Sequence, residues 1–160
     1  QRIFAIESRI GYLRLKETFD KIFDQSLFEI TDRLETKDEV IHHLCTKLIE
    51  HHYVDHNYEE QVLKRENAAS TAFGKLAIPH AVDMSALQTG IAVLVSKAGI
   101  KWSGNTVHFV LLMALNKNDY KIFKDSYESL ITIFNEEKTL EFIRHIDSFD
   151  SFKRIIKNYW

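Results

Sequence analysis

Apolar residues along this chain occur in two patterns, which together predict helices interleaved with short strands. Spacings of three and four residues predict helices over residues 1–24, 37–51, 56–67, 119–134, 138–146 and 149–158. Apolar runs predict strands at Leu27–Thr31, Leu76–Ile78, Ile91–Val95 and Val107–Leu115. Strands that alternate with helices predict an α/β layered fold, in which a mixed β-sheet is covered by helices on both faces.

Two local signals refine this outline. Thr36 is followed three residues later by Glu39, a pattern that predicts a capping box at the start of the second helix. Residues 97–105 include Gly99 and Gly104, and they predict a long turn between the last two strands.

The first thirty residues are interpreted as a lead-in helix or linker from an upstream region, and residues 31–160 as the domain itself. Because the chain starts at Gln1 and not at Met, we expect it to be a piece of a longer protein. Large apolar residues are dense for a linker: Phe19, Ile22, Phe23, Leu27 and Phe28. Two interpretations stay open, a helix that packs on its own domain or a contact in a homodimer.

Composition and charge exclude several classes of protein. The 160 residues are 45% apolar and 28% charged, with a net charge of −2, as expected of a water-soluble globular domain. The chain has no block of Lys and Arg residues, so direct contact with nucleic acid or with an anionic membrane is not predicted. No apolar run approaches a membrane span, so no membrane insertion is expected. The single cysteine, Cys45, excludes an internal disulfide and predicts a cytoplasmic location.

The candidate chemistry lies around the only proline of the chain, Pro79, which directly precedes His80. Proline restricts its own φ and pushes the preceding residue towards extended geometry. His80 is therefore expected at the end of a short buried strand, where Pro79 restricts the direction of the backbone. Taken alone, a histidine beside a proline is more often an ordinary surface residue, or one with satisfied hydrogen bonds, than a functional residue.

The segments upstream strengthen that signal. Arg65-Glu66-Asn67 ends a predicted helix, a loop containing Ser70, Thr71 and Gly74 follows, and Ala77-Ile78-Pro79-His80 completes the pattern. Over residues 35–157 the chain resembles the mannitol/fructose-type IIA (EIIA type-2) domain of the bacterial sugar phosphotransferase system (PTS). The resemblance implies that His80 carries the phosphoryl group and that the domain is a phosphohistidine carrier rather than a free-standing turnover enzyme.

Residue chemistry is consistent with this role. An imidazole nitrogen can accept a phosphoryl group and release it again, provided that about two negative charges are neutralised. Arg65 is always charged and can donate two parallel hydrogen bonds to phosphate oxygens. Backbone amides of the loop and the Thr71 hydroxyl are further candidate phosphate donors. No cofactor is predicted.

Other histidines offer weaker candidates. His52 and His56 have a spacing that suits metal ligands on a helix, but the turn expected between them would separate the two rings, so no metal site is predicted. His108 lies near the start of an apolar strand. It is either a second imidazole at the site or, as we expect, a polar residue at a strand end.

One departure from the family pattern affects the predicted role. Transport members carry a second histidine near the start of the helix after the third buried strand, where this chain has Phe123. Gly99-Ile-Lys-Trp102 and Phe123…Tyr127-Glu-Ser-Leu130 look more like the IIA-like modules of sugar-operon activators and antiterminators with PTS regulation domains. The favoured interpretation is therefore a regulatory phosphoacceptor.

The partners implied are the general PTS phosphocarrier protein and upstream regulation domains of the same chain. The alternatives are a IIA component that relays phosphate to a IIB domain in sugar transport, and a degenerate module that binds without being phosphorylated.

Overall fold

A computed structural model describes residues 2–158, and for residues 2–8 it describes the backbone alone. In this range the helices are α1 (Arg2–Ile22), α2 (Lys37–Glu50), α3 (Tyr58–Ala68), α4 (Tyr120–Asn135), α5 (Glu137–Glu141) and α6 (Phe149–Lys157). The strands are β1 (Phe23–Ile30), β2 (Ala72–Phe73), β3 (Leu76–Ala77), β4 (Ser85–Trp102) and β5 (Asn105–Asn116). Short 3₁₀ helices at Lys117–Asp119 and Phe142–His145 precede α4 and follow α5.

The strands of the described range form one mixed sheet in the order β1-β4-β5-β3-β2. β1 is parallel to β4 and β3 is parallel to β5, whereas the β4–β5 and β2–β3 pairs are antiparallel. β4 and β5 are the longest strands, and they form the centre of the sheet. The predicted α/β layered fold with a mixed sheet is confirmed.

Each face of this sheet is buried by its own set of helices. Successive side chains of a strand point to opposite faces. The odd-numbered residues of 91–95 and 109–113 pack with apolar residues of α1, α4 and α6. The even-numbered residues of 92–94 and 110–114 pack with residues of α2 and α3. The apolar runs in the sequence are continuous because both faces of β4 and β5 are covered.

The helix predicted as a lead-in segment, α1, packs on the core of this domain. Its buried side chains are Tyr12, Leu15, Phe19 and Ile22. A Cβ atom at Gly11 would lie 2.7 Å from the Asp125 carbonyl oxygen, so a larger residue would push α1 away from α4. A homodimer contact and a domain boundary at residue 30 stay predictions. Within residues 2–158 no helix is long and apolar enough to cross a membrane.

The long turn predicted over residues 97–105 is wrong. β4 continues to Trp102, and a tight hairpin turn at Ser103 and Gly104 leads into β5. Both turn residues have positive φ, 47° and 88°, as type I′ hairpin turns require. Ile100 and Trp102 are buried, so packing extends the strand through a stretch whose glycines favour a turn.

Candidate functional site

His80 lies three residues beyond β3, beside the centre of the sheet. Its backbone forms a parallel bridge with Met113 of β5, whose amide donates to the Pro79 carbonyl at 3.0 Å. Ile78 and Pro79 are buried and His80 is half-buried. The sheet thus fixes the backbone on which the imidazole is mounted.

The His80 ring is held in one orientation by its own chain. Nδ1 lies 2.8 Å from the Ile78 carbonyl oxygen. A carbonyl can only accept a hydrogen bond, so Nδ1 carries the proton in the neutral ring and Nε2 keeps its lone pair. Burial lowers the pKa of His80 below its ordinary value, and the nearby Arg65 charge lowers it further, whereas the Ile78 bond and the Glu66 charge raise it. Nε2 is therefore available as a nucleophile at neutral pH.

Arg65 lies in the last turn of α3, close enough for its charge to act on His80. Its Nη1 donates to the Ala69 carbonyl oxygen at 2.6 Å, which partly caps the end of the helix. This bond uses one of the five N–H groups of the guanidinium. Arg65 therefore binds a carbonyl at the end of its own helix, and its remaining N–H groups can still bind an anion.

The loop between α3 and β2 is held by a buried carboxylate, Glu66. Thr71 donates to it twice, from its backbone N–H to Oε1 at 2.9 Å and from its hydroxyl to Oε2 at 2.7 Å. Trp102 Nε1 donates to the same Oε1 at 2.7 Å. Glu66 is adjacent to Arg65 in the sequence, but no role was predicted for it. The available signal was a carboxylate immediately next to the candidate arginine, at a helix end.

Phe123 of α4 lies against the His80 ring, with the ring centroids 6.1 Å apart. Tyr127, one turn further along the helix, packs on Phe123 at 5.2 Å between centroids. Burial raises the pKa of the Tyr127 hydroxyl, and the charges of Arg65 and Glu66 also act on it. The site therefore combines residues from α3, the following loop, the end of β3 and α4.

The structure places His108 away from this site. It lies five residues before Met113 on β5, a separation of roughly 16 Å at about 3.3 Å per residue. Its Nδ1 donates to the Ser96 carbonyl at 2.8 Å, as a polar residue of a strand end would. His108 cannot supply a second imidazole beside His80.

The histidines proposed and rejected as metal ligands lie around the turn after α2. His52 has a positive φ of 63°, which turns the chain before His56, and both side chains are exposed. His42 pairs with Glu59 at 2.7 Å. Among the residues that the structure describes, no group of three or more His, Cys, Asp or Glu side chains could hold a metal ion.

Comparison with known proteins identifies a protein family whose profile this chain matches. A family profile described as "Phosphoenolpyruvate-dependent sugar phosphotransferase system, EIIA 2" matches residues 21–159. The chain is 30% identical over 122 residues to the "Probable licABCH operon regulator" of Bacillus subtilis (strain 168), an alignment that covers 76% of this chain and 19% of the regulator. It is 28% identical over 131 residues to the "Mannitol-specific phosphotransferase enzyme IIA component" of Halalkalibacterium halodurans, covering 79% of this chain and 88% of that protein. The chain thus spans about a fifth of the regulator's length.

A solved structure shares the fold. The IIA chain in the complex of enzyme IIAMTL and phosphorylated enzyme IIBMTL from Escherichia coli superposes with a TM-score of 0.72. The two chains are 20% identical, and the match covers 86% of this chain and 99% of that chain. At this identity the likeness shows a common fold.

Proposed function

The chain belongs to the EIIA 2 family of the phosphoenolpyruvate-dependent sugar phosphotransferase system, and on this premise we propose that it carries a phosphoryl group on His80. The observation that carries the proposal is the hydrogen bond from His80 Nδ1 to the Ile78 carbonyl, which leaves the Nε2 lone pair available. The proposed donor is the general phosphocarrier protein of the same system.

The transfer step is a simple exchange at phosphorus. The Nε2 lone pair forms the new N–P bond while the bond between phosphorus and the donor breaks, and its electron pair stays on the donor. Nδ1 keeps its proton against Ile78, so His80 needs no general base. Such a transfer depends mainly on positioning and charge stabilisation, which the fixed ring and its surroundings can supply.

Arg65 is the proposed main partner of the phosphoryl oxygens. The group brings about two negative charges, and the guanidinium offers parallel charge-assisted hydrogen bonds. Its bond to Ala69 holds it beside the site. Thr71 is the second proposed phosphate-binding residue, but its single hydroxyl proton now points to Glu66 and would have to turn away to bind phosphate.

The phosphoryl group acts as a signal in the favoured version of this proposal. The domain would be a IIA-like module of a sugar-operon transcription regulator, and phosphorylation would change the charge of its surface and so control the regulator. The similarity to the Bacillus subtilis operon regulator supports this role. Phe123 supports it as well, because its apolar ring lies where transport members of the family are expected to have a histidine.

The alternative is a IIA component that relays the phosphoryl group to a IIB domain in sugar transport. The similarity to the mannitol-specific IIA component of Halalkalibacterium halodurans favours this role. Neither version includes direct contact with nucleic acid or insertion into a membrane, and both place the domain in the cytoplasm.

Apolar residues border the proposed acceptor. Val82, two residues after His80, is 74% exposed, and Tyr120, one turn before Phe123 on α4, is 50% exposed. Apolar side chains at the margin of a charged site suit docking of another protein, which both versions of the proposal require.

The decisive experiment is incubation with phosphoenolpyruvate, the general PTS phosphotransferases and the phosphocarrier protein. We expect a mass increase of about 80 Da, one phosphoryl group, which is lost in acid and absent from His80→Ala. A folded wild-type domain that incorporates no phosphate would refute the proposal and favour the degenerate binding module. Addition of a IIB domain to the phosphorylated protein then separates the two roles, because a relay loses its label to IIB and a regulatory acceptor keeps it.

A further inference from the structure

A cleft lies between α6 and the segment formed by α5 and the 3₁₀ helix that follows it. Its volume is about 460 Å³, within the range of about 300–1,000 Å³ found for sites of small organic ligands. None of its described lining residues belongs to the His80 site. They are Lys138, Thr139, Phe142, His145, Ile146, Ser151, Arg154, Ile155 and Asn158. The cleft is therefore a separate feature of the domain, to which the proposed function assigns no role.

Two short helical segments joined by a turn form the walls of the cleft. The first segment ends where the Ile146 amide donates to the Phe142 carbonyl oxygen at 3.0 Å. The second, α6, is capped by Ser148, whose hydroxyl accepts from the Ser151 amide at 3.2 Å. Along each wall the lining residues recur at intervals of three or four positions, the spacing of one helix face. Local hydrogen bonds thus fix the ends of both walls.

Apolar side chains form much of the cleft, and one of them stays in contact with solvent. Ile146 is buried and Ile155 is half-buried, whereas Phe142 is 52% exposed. Covering the Phe142 ring with an apolar group would remove its surface from water, which is favourable. A ligand that suits this cleft therefore has an apolar body.

A buried hydroxyl in the same cleft lacks a hydrogen-bond partner in the part of the chain that the structure describes. Thr139 is 2% exposed, and within that part its hydroxyl forms no hydrogen bond. The other hydroxyl of the cleft is already used, because Ser151 Oγ donates to the Ser148 carbonyl oxygen at 2.8 Å. A buried polar group without a partner is unfavourable, so a polar ligand atom at Thr139 would stabilise the bound state.

Arg154 gives the cleft a positive charge. Its side chain is exposed, and none of the carboxylates in the described range forms an ion pair with it. No Asp or Glu is among the described lining residues. A guanidinium is always charged and can donate two parallel hydrogen bonds to a carboxylate. The polar group that this cleft recognises is therefore an anion of that geometry.

We propose that the cleft between α5 and α6 binds a small organic carboxylate with an aromatic or aliphatic body. The carboxylate accepts hydrogen bonds from Arg154 and from the Thr139 hydroxyl. The body covers Phe142 and packs against Ile146 and Ile155. Binding is non-covalent and does not involve His80, so this inference stands apart from the proposed phosphoryl transfer.

The test is a titration of the full 160-residue chain with cinnamate and with octanoate, followed through the backbone amide signals in NMR spectra. Saturable shifts are expected for amides of residues 138–158 and not for His80. Cinnamamide and octanamide have the same bodies without the charge, and they should bind at least about tenfold more weakly. If neither carboxylate gives saturable shifts, or if the neutral amides bind equally well, the proposal is overturned.

Three variants assign the polar contacts. Arg154→Ala should weaken carboxylate binding at least about tenfold, because charge-assisted hydrogen bonds are lost. Thr139→Val keeps the shape of the side chain without the hydroxyl, and it should weaken binding roughly twofold to tenfold. Arg144→Ala removes an exposed arginine that does not line the cleft, and it should bind like the wild type. Unchanged binding in Arg154→Ala, with thermal unfolding showing a folded protein, excludes the proposed carboxylate contact.

Two further proteins test whether the cleft is accessible and independent. Asn158 lines the cleft and is followed by Tyr159 and Trp160, which lie outside the described residues. A chain that ends at Asn158 should bind the carboxylate as tightly as the full chain does. Binding that appears only in this shorter chain would overturn the proposal, since the cleft of the full chain would then be closed to the ligand. His80→Ala should bind like the wild type, so a failure of phosphorylation leaves this test unaffected.

Discussion

Replacement of Phe19 by Ala tests whether α1 is part of the folding unit. Phe19 is fully buried and its ring stacks on Phe23, with the centroids 4.6 Å apart. It also lies 5.9 Å and 6.3 Å from the rings of Phe149 and Phe152. The side chain therefore joins α1 to the strand that follows it and to the last helix of the domain, α6.

The magnitude follows from these contacts. Full burial of a phenylalanine side chain contributes about 1.5–3 kcal/mol, and each aromatic pair adds about 0.5–1.5 kcal/mol. With the cavity left behind, the variant should lose about 3–5 kcal/mol of unfolding free energy. For a domain of this size that corresponds to a fall in Tm of about 6–20 °C.

The assay is urea unfolding followed by circular dichroism, at two protein concentrations that differ tenfold. Leu13→Ala on the same helix is the matched control, because Leu13 is exposed and its loss should change the unfolding free energy by less than about 0.5 kcal/mol. If α1 mainly served a homodimer, the wild-type midpoint would depend on protein concentration. A loss below about 1 kcal/mol in Phe19→Ala, or a strong concentration dependence, would refute the assignment of α1 to this core.

Three further outcomes are expected. Arg65→Ala should slow phosphorylation of His80 roughly 10- to 100-fold, since charge-assisted hydrogen bonds contribute about 1.5–3 kcal/mol, and an unchanged initial rate would remove Arg65 from the site. The pKa of His80 lies below its ordinary value near 6.5. The phosphorylation rate should therefore stay level from pH 8 to pH 7 and fall only below pH 6.5, where Nε2 becomes protonated. A rate that already halves at pH 7 would contradict this. Gly104→Ala should cost about 1 kcal/mol in urea unfolding through its φ of 88° alone, because no atom lies within 4 Å of the added Cβ, and Gly104→Asn should cost less.

Much of the fold could be predicted because its signals are local. The continuous apolar runs at Ile91–Val95 and Val107–Leu115 predict strands covered on both faces, and both lie at the centre of the sheet. Thr36 caps α2, accepting from the Glu39 amide at 3.2 Å. The extent of β4 was wrong because Gly99 and Gly104 favour a turn locally, while burial of Trp102 extends the strand.

The candidate site also combines features that are local in the chain with features that depend on tertiary packing. The acceptor candidate and its rigid backbone could be predicted locally, because Pro79 and His80 are neighbours in the chain, and the order of residues was enough to place Arg65 at a helix end. The side chains that surround these residues depend on the packing of the fold. Phe123 meets the His80 ring from 43 positions away along the chain, and Trp102 reaches Glu66 across 36. Such contacts depend on how α4 and the β4–β5 hairpin pack on the sheet, and no local pattern specifies that packing.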